Sequence, residues 1–424
     1  MTKLLSKYTI DYDASIGLDS EDFSYDVFPQ LINLNVQIES SNFSKGIEIL
    51  KDTLWNTQFT KEKLNITIDQ LLTEIPECKT DPEVLSETAL KHLNFDSKKS
   101  NHNSCNFHNQ EKFLKSIEKK MKKEYHSIVK NLNELRDFLT DPSRIFLSVI
   151  GDFTKIKDVK KSILKHFLNE SDDVIYVPKS ISFSKDLLRK EVHDTSTLKD
   201  GFIFGLSSSE TTSLDQTCPG ISSFSDSNIA PLLVLIEYLT GSESIFWSKI
   251  RGLGLCYQFG ISLSIEQGLL YFNISDSTNI FKAYMESKKI IDEFNGEFDD
   301  TIIESSKSSI VFEIIEKEGT IFESAYERMS RYFEGVSPFD NLLMLKRIAV
   351  SKVFFFIKIT SKKKSVTKDD LKNVFKKYLV NLFDEKCSNS VICTNSKKVK
   401  EIIKNFEGVR NYVKSNPDKF FNEK

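Results

Sequence analysis

The strongest constraint on the fold lies between Trp247 and Tyr257, where a helical turn runs into a Gly-x-Gly segment and then into a strand. Gly252 and Gly254 allow the backbone to turn sharply between the two elements. Arg251 lies just before the glycines and Tyr257 just after them. The segment therefore predicts a helix-to-strand junction that aims a cation and a phenol at one place.

Composition excludes several classes of protein. The 424 residues are enough for two or three domains, and a hydrophobic fraction of 39% is typical of a globular protein. A net charge of -3 gives no electrostatic footprint for nucleic acid or an anionic membrane. No apolar run approaches the ~20 residues that span a bilayer. Six cysteines without CxxC spacing favour free thiols in an intracellular protein, cytoplasmic or organellar, without choosing between them.

Most of the chain has helical periodicity. Apolar residues at i, i+4, i+7 and i+11 predict amphipathic helices over 42–57 and over 64–75, where Pro76 ends the second. A longer helix is predicted over 113–139, followed by a strand over 145–150.

The second half contains four further predicted strands: 202–207, 255–264, 269–274 and 390–394. The segment 149–159 resembles 391–402, since each has a strand, a capping Ser or Thr and a helix.

A similarity between two segments so far apart in the chain predicts two copies of one domain. Its register predicts domains at 1–178 and 196–424. The first copy would lack its opening strand and the helix after that strand.

The run from Arg251 to Tyr257 resembles the Arg-Gly-x-Gly-Leu-x-Tyr segment in the C-terminal half of the pitrilysin/insulinase metallopeptidases. Within that family, the segment is most similar to the branch that contains presequence protease and its uncharacterised single-chain relatives. The helices over 42–57 and 64–75 look like the paired helices of that family's third domain, and 132–152 looks like its closing helix and strand. The resemblance implies an α+β chain of two similar domains, each a mostly antiparallel sheet with helices on one face.

The same resemblance implies a function. In that family the residues matching Arg251 and Tyr257 contact bound peptide and support catalysis, with Gly252 and Gly254 in the substrate-binding segment. The zinc of these enzymes is held by a His-x-x-Glu-His helix. None of the six histidines here has that spacing. We therefore expect no cofactor in this chain, and a zinc-bearing N-terminal half either in the same polypeptide or as a separate chain.

Two function classes follow. The first is the non-zinc-binding half of a metalloendopeptidase that degrades peptides in an enclosed chamber. The second is a non-catalytic subunit that serves as a scaffold or binds peptides. In both, the chain alone is expected to be inactive, and its partners are peptides and the zinc-bearing half.

Other interpretations of these residues have less support. Arg251 could be a surface charge that caps the helix, with Tyr257 in the core. His102, Cys105 and His108 could bind a metal, although they lie in an Asn-rich loop. Cys256 could be a nucleophile, but a buried structural thiol is the favoured interpretation.

Overall fold

The computed structural model describes residues 7–18, 23, 28–156, 159, 163, 167, 184–337, 340–348 and 365–422. The chain divides into two compact units, each made of several stretches. The first unit comprises Met1–Ile75, Gln110–Ser182 and Glu318–Phe333. The second unit comprises Pro76–Asn109, Phe183–Lys317 and Glu334–Lys424. The boundaries predicted at 1–178 and 196–424 refer to domains of the peptidase family and not to compact units of this chain. They stay a prediction.

Short strands and a larger number of helices make up the secondary structure. The strands are β1 Asp11–Ile16, β2 Ile32–Gln37, β3 Gly201–Leu206, β4 Thr212–Pro219, β5 Gln258–Ser264, β6 Leu269–Ser277, β7 Asn389–Asn395 and β8 Tyr412–Ser415. The first α-helices are α1 Phe43–Trp55, α2 Lys61–Thr80, α3 Pro82–Asn94, α4 His102–Cys105, α5 Phe107–Met121, α6 Tyr125–Leu139 and α7 Ile229–Thr240. The later ones are α8 Ile280–Asp292, α9 Asp300–Glu316, α10 Ile321–Glu334, α11 Asp340–Ile348, α12 Lys368–Val374, α13 Val380–Leu382, α14 Val399–Phe406 and α15 Pro417–Phe420.

Shorter helical turns connect these elements. Single 3-10 turns are found at Ser40–Asn42, Pro142–Arg144, Ser184–Leu187 and Lys190–His193. The π-helical turns are Trp247–Arg251 and Phe375–Leu379. Within the described residues, no helix has the length and apolar character needed to cross a membrane.

The first unit contains a two-stranded ribbon and amphipathic helices. β1 and β2 pair antiparallel, with Asp11 opposite Gln37. α1 buries Phe43 and Ile47, which confirms the helix predicted over 42–57. Its apolar face explains that burial, because residues three and four apart lie on one side of a helix.

Three details of the predicted first half are wrong. α2 continues through Pro76 to Thr80, whose hydroxyl donates 3.1 Å to the Pro76 carbonyl oxygen. Proline removes one backbone donor, and the remaining bonds of this helix carry it past that point. The single helix predicted over 113–139 is two helices, α5 and α6. Residues 145–150 form no strand, and most of the helix predicted after them lies outside the described residues.

The second unit is built on a six-stranded sheet with the order β5-β6-β4-β7-β3-β8. The pairings β5–β6, β6–β4 and β4–β7 are antiparallel, whereas β3 pairs parallel with β7 and with β8. This arrangement confirms the predicted α+β class with a mostly antiparallel sheet. The four strands predicted in this half are all present. The segment 391–402, the second of the two similar segments, forms β7 followed by α14, as predicted.

Helices bury the sheet of the second unit. Apolar side chains of β4 and β6, such as Leu214, Phe272 and Ile274, belong to one large core with α7 and α8. α3 packs on β4 and β7, and its contacts include a hydrogen bond of 3.0 Å from the Asn94 side-chain amide to the Thr217 hydroxyl. β5 lies at one edge of this sheet and follows directly on the Arg251–Tyr257 segment.

Candidate functional site

The candidate site begins on one turn of π-helix, Trp247–Arg251. The N–H of Gly252 donates 2.8 Å to the carbonyl oxygen of Trp247, which is the five-residue spacing of a π-turn. Such wide turns occur frequently at functional sites. Arg251 is the last residue of the turn and is exposed.

The two glycines of the segment are required for different reasons. A Cβ at Gly252 would lie 2.7 Å from the carbonyl oxygen of Ser248, so a side chain has no room there. Gly254 has a φ of +68°, and a Cβ there would meet no atom within 4 Å. The second glycine is therefore required by its left-handed backbone rather than by space. Both glycines form the turn as expected, while their role in substrate binding stays a prediction.

The structure brings Arg251 and Tyr257 together. The guanidinium carbon of Arg251 lies 4.8 Å from the centroid of the Tyr257 ring, within the range of a cation–π contact. Tyr257 is 60% exposed, so the alternative interpretation that placed it in the core is wrong. Among the described residues, no carboxylate forms an ion pair with Arg251. A planar cation and a phenol donor are thus presented on one exposed turn.

Cys256 lies between these two side chains in sequence but faces the core. It is 5% exposed, and burial raises the pKa of its thiol to about 11, although the charge of Arg251 lowers it. A thiol with a raised pKa is protonated near neutral pH and is a poor nucleophile. The structure therefore agrees with a buried structural thiol.

One acidic side chain lies near the end of the β5–β6 hairpin at which β5 begins. Gln258, the first residue of β5, is opposite Ser275 of β6. Glu83 of α3 hydrogen-bonds to Ser275, and burial raises the pKa of the Glu83 carboxyl. Sequence reasoning missed Glu83, because nearly two hundred residues separate it from the hairpin and no local pattern connects them.

The Asn-rich segment that contains His102, Cys105 and His108 is largely helical and not the expected loop, and it contributes to packing. His102 begins the short helix α4, is buried, and has its ring centroid 3.9 Å from that of Phe95. Burial lowers the pKa of His102 to about 3. His108 is also buried, with its Nδ1 atom 3.2 Å from a carboxylate oxygen of Asp418. In the described part of the chain, no group of three His, Cys, Asp or Glu side chains is placed to hold a metal, so the alternative metal site finds no support there.

A buried carboxyl was also missed from the sequence. Asp215 of β4 accepts a hydrogen bond from the Ser86 hydroxyl of α3. Burial, together with the nearby carboxylates of Glu87 and Glu83, raises the pKa of Asp215 to about 7. This hydrogen bond joins α3 to β4.

A buried arginine lies elsewhere in the same unit. Arg410 is 2% exposed, and it donates 2.9 Å to the hydroxyl and 2.5 Å to the carbonyl oxygen of Ser388. Its second terminal nitrogen also donates 3.4 Å to the carbonyl oxygen of Lys199. These contacts fix the guanidinium within the fold.

Sequence comparison finds relatives of unknown function. No family model matches the chain. It is 26% identical over 297 residues to an uncharacterized protein of Schizosaccharomyces pombe, which covers 69% of this chain and 28% of that protein. It is also 26% identical over 421 residues to an uncharacterized protein of Saccharomyces cerevisiae, covering 95% of this chain and 38% of that one. The chain thus spans less than two fifths of the length of these relatives.

Solved structures show the fold. A protease from Helicobacter pylori matches with a TM-score of 0.60 at 13% identity, over 93% of this chain and 83% of that one. A peptidase M16 inactive domain from Pseudomonas fluorescens matches at 0.57 and 11% identity, over 86% and 78%. A putative M16-like peptidase from Alicyclobacillus acidocaldarius matches at 0.57 and 11% identity, over 92% and 81%. The chain therefore has the fold of these M16-like peptidase domains.

Proposed function

We propose that this chain is the non-zinc-binding half of a zinc metalloendopeptidase that degrades peptides in an enclosed chamber. In this proposal Arg251 and Tyr257 contact the substrate, and the zinc-bearing half supplies the metal chemistry. The observation that carries the proposal is the exposed contact of 4.8 Å between the Arg251 guanidinium and the Tyr257 ring. The M16-like fold supports it, as does the length of the relatives, which leaves room for a second half.

The exposed contact suits a transition state that develops negative charge. Hydrolysis of a peptide places charge on the carbonyl oxygen, and preorganised donors stabilise that charge. The guanidinium offers several N–H donors in a fixed plane, and the Tyr257 ring restricts where that plane can lie. Within the described residues no carboxylate competes for this cation.

In this proposal the zinc is held by the other half. In the described residues no group of three His, Cys, Asp or Glu side chains is placed to hold a metal ion. The residues of the chain would therefore bind and orient the peptide. A zinc-bearing half, joined to it or separate, would bring the metal.

The test is the variant Arg251→Ala in a preparation that contains both halves. Loss of one such donor typically lowers turnover by ~100-fold or more. We expect that decrease in kcat/KM for an unstructured peptide, with zinc content unchanged. Arg251→Lys is the matched control, because it keeps the charge but not the planar fork, and it should recover only part of the activity. Full turnover by Arg251→Ala would overturn the assignment.

A second candidate function is a non-catalytic scaffold or peptide-binding subunit. It is favoured by one observation, namely that the similar structure from Pseudomonas fluorescens is described as an inactive domain. Co-purification distinguishes the two candidates. A zinc-bearing partner whose peptide turnover depends on Arg251 supports the peptidase half. A partner without bound zinc and without peptide hydrolysis supports the scaffold.

A further inference from the structure

Two hydroxyl side chains, one at the end of β6 and one directly after it, hold the turn that carries the candidate site. The Ser277 hydroxyl donates 2.8 Å to the carbonyl oxygen of Leu255, and the backbone N–H of Thr278 donates 3.2 Å to the same oxygen. The Thr278 hydroxyl donates 3.2 Å to the carbonyl oxygen of Gly254. The two carbonyl groups are thus fixed by partners that lie 22 and 24 residues away in the chain.

An irregularity in β6 directs Ser277 towards the turn. Phe272 and Ile274 lie in the core, so strict alternation along the strand would place Asp276 in the core as well. Asp276 is instead exposed, and Ser277 is buried. The pairing with β4 shifts register at this point, and Asp276 has a φ of +50°, a left-handed conformation that is uncommon outside glycine. Such bulges re-aim a side chain and are frequent next to active sites.

The hydroxyl contacts extend the anchoring of the turn from the core to its exposed part. Leu255 and Cys256 anchor the turn through buried side chains, at 6% and 5% exposed. The residues from Arg251 to Gly254 are exposed. The Thr278 hydroxyl reaches the carbonyl group of Gly254, and the N–H of Gly254 donates 2.9 Å to the carbonyl oxygen of Arg251. A chain of two hydrogen bonds therefore leads from Thr278 to the backbone of Arg251.

We propose that Ser277 and Thr278 are positioning residues of the candidate site, and that their hydroxyls hold Arg251 where it meets the substrate. Each hydroxyl acts through the turn, because it donates to a backbone carbonyl group. A preorganised donor stabilises developing charge only where its place is fixed in advance, and a displacement of about 1 Å can lower a rate ~100-fold. The effect on catalysis rests on the proposed function, whereas the hold on the turn does not.

Hydrogen exchange of the turn gives a readout that does not depend on activity. The N–H groups of Gly252, Gly254 and Leu255 each donate to a carbonyl oxygen of the π-turn, at 2.8, 2.9 and 3.0 Å. Such amides exchange with solvent when the segment opens locally. Mass spectrometry of the fragment 247–257, in the preparation with both halves, measures their exchange rate. We expect exchange about 5-fold faster in Thr278→Val, because the turn opens more often without the hydroxyl.

The same variants are assayed for turnover of an unstructured peptide. Thr278→Val keeps the branched shape and removes an exposed hydroxyl, so the test does not depend on the folding of a buried variant. We expect kcat to fall about 10-fold and KM to change less than about 2-fold, because the contact that suffers is made in the transition state. Ser277→Ala should change kcat and exchange in the same direction.

Two controls separate positioning from a general loss of stability. Thr278→Ser keeps the hydroxyl and should keep both the exchange rate and kcat close to wild type. Ser308→Ala on α9 removes another exposed hydroxyl, which donates 2.9 Å to the carbonyl oxygen of Glu304, and it should change neither quantity. Wild-type exchange at the turn in both Thr278→Val and Ser277→Ala would overturn the inference, and so would an equal loss of kcat in Ser308→Ala.

The two proposals can fail separately. If Arg251→Ala loses turnover but Thr278→Val exchanges faster at the turn and keeps its kcat, the positioning role is overturned and the peptidase half stands. If Arg251→Ala keeps full turnover, the proposed function fails and the positioning role fails with it. Faster exchange in Thr278→Val would then report only a structural hold on the turn.

Discussion

Two arginines of the second unit, Arg410 and Arg251, differ in the contacts that hold them. Arg410 is buried, with three hydrogen bonds to Ser388 and Lys199. Arg251 is exposed, and its described contact is with the ring of Tyr257. The terminal nitrogens of Arg410 thus donate within the fold, whereas the guanidinium of Arg251 is exposed.

The difference predicts which charged groups serve stability and which are available for function. Burying a charge is costly unless the surrounding groups satisfy its donors, so a buried arginine persists where the fold depends on it. An exposed arginine without an ion pair contributes little to folding. We therefore expect substitutions of the buried polar groups to change stability, and substitutions at the exposed turn to change activity.

The largest effect is expected for Arg410→Ala. The change removes a large buried side chain and leaves the Ser388 oxygens without their donors. Together these losses cost about 3–5 kcal/mol of unfolding free energy. Urea denaturation of wild type and variant measures this cost. Arg410→Met keeps most of the volume and separates packing from hydrogen bonding. A decrease below about 1 kcal/mol would contradict a structural role for this guanidinium.

The second effect concerns pH and Asp215. Its pKa is raised from 3.8 to about 7 by burial, so the folded state holds a proton that the unfolded chain releases. The stability that this proton provides is complete below the unfolded pKa and is lost as the pH rises through 7. Between pH 5 and pH 8 we expect wild type to lose roughly 2 kcal/mol relative to Asp215→Asn. Urea denaturation at both pH values measures the difference.

Other charged groups face Asp215 and are part of that experiment. Glu83, Glu87 and Lys91 of α3 act on its charge, and Glu87 forms an ion pair of 2.7 Å with Lys91. Glu83→Gln is the control, because it removes a nearby carboxylate and leaves the contact between Asp215 and Ser86 in place. Parallel pH profiles for wild type and Asp215→Asn would show that Asp215 does not titrate in this range.

A smaller effect is expected at the exposed turn. Gly254→Ala places a Cβ in open space, but on a backbone with a φ of +68°. The left-handed conformation costs an alanine about 1 kcal/mol. Gly254→Asn should lose less, because asparagine tolerates this region better. Thermal unfolding of both variants tests the order, and equal stability of Gly254→Ala and wild type would argue against the conformation.

The sequence predicted the exposed Arg251–Tyr257 turn better than the buried polar strand β4. Periodicity identified α1 and the β5–β6 hairpin, and the spacing of Arg251 and Tyr257 indicated that they meet. β4 was missed because its central residues are polar. Its Asp215 and Gln216 resemble a loop, yet the strand is paired on both sides.

The hydrogen-bond partners of these polar residues explain why β4 was not predicted. Thr212 hydrogen-bonds to Thr394 at 2.7 Å, and Asn94 binds Thr217 at 3.0 Å. Both contacts join residues more than a hundred positions apart in the chain. A polar strand can be central only when distant side chains satisfy it, and a single sequence does not show which ones do. The apolar run at 145–150 is the opposite case, since it is hydrophobic and forms no strand.

The smallest expected effect sharpens the contrast between the two arginines. Arg251→Ala should change the unfolding free energy by less than about 0.5 kcal/mol, because an exposed side chain without an ion pair is removed. The same protein sample should show the decrease in peptide turnover. Tyr257→Phe is the matched control, since it keeps the ring under the guanidinium and removes only the hydroxyl group. If Arg251→Ala unfolded as readily as Arg410→Ala, the guanidinium at the turn would be structural, and the loss of turnover would no longer indicate a contact with substrate.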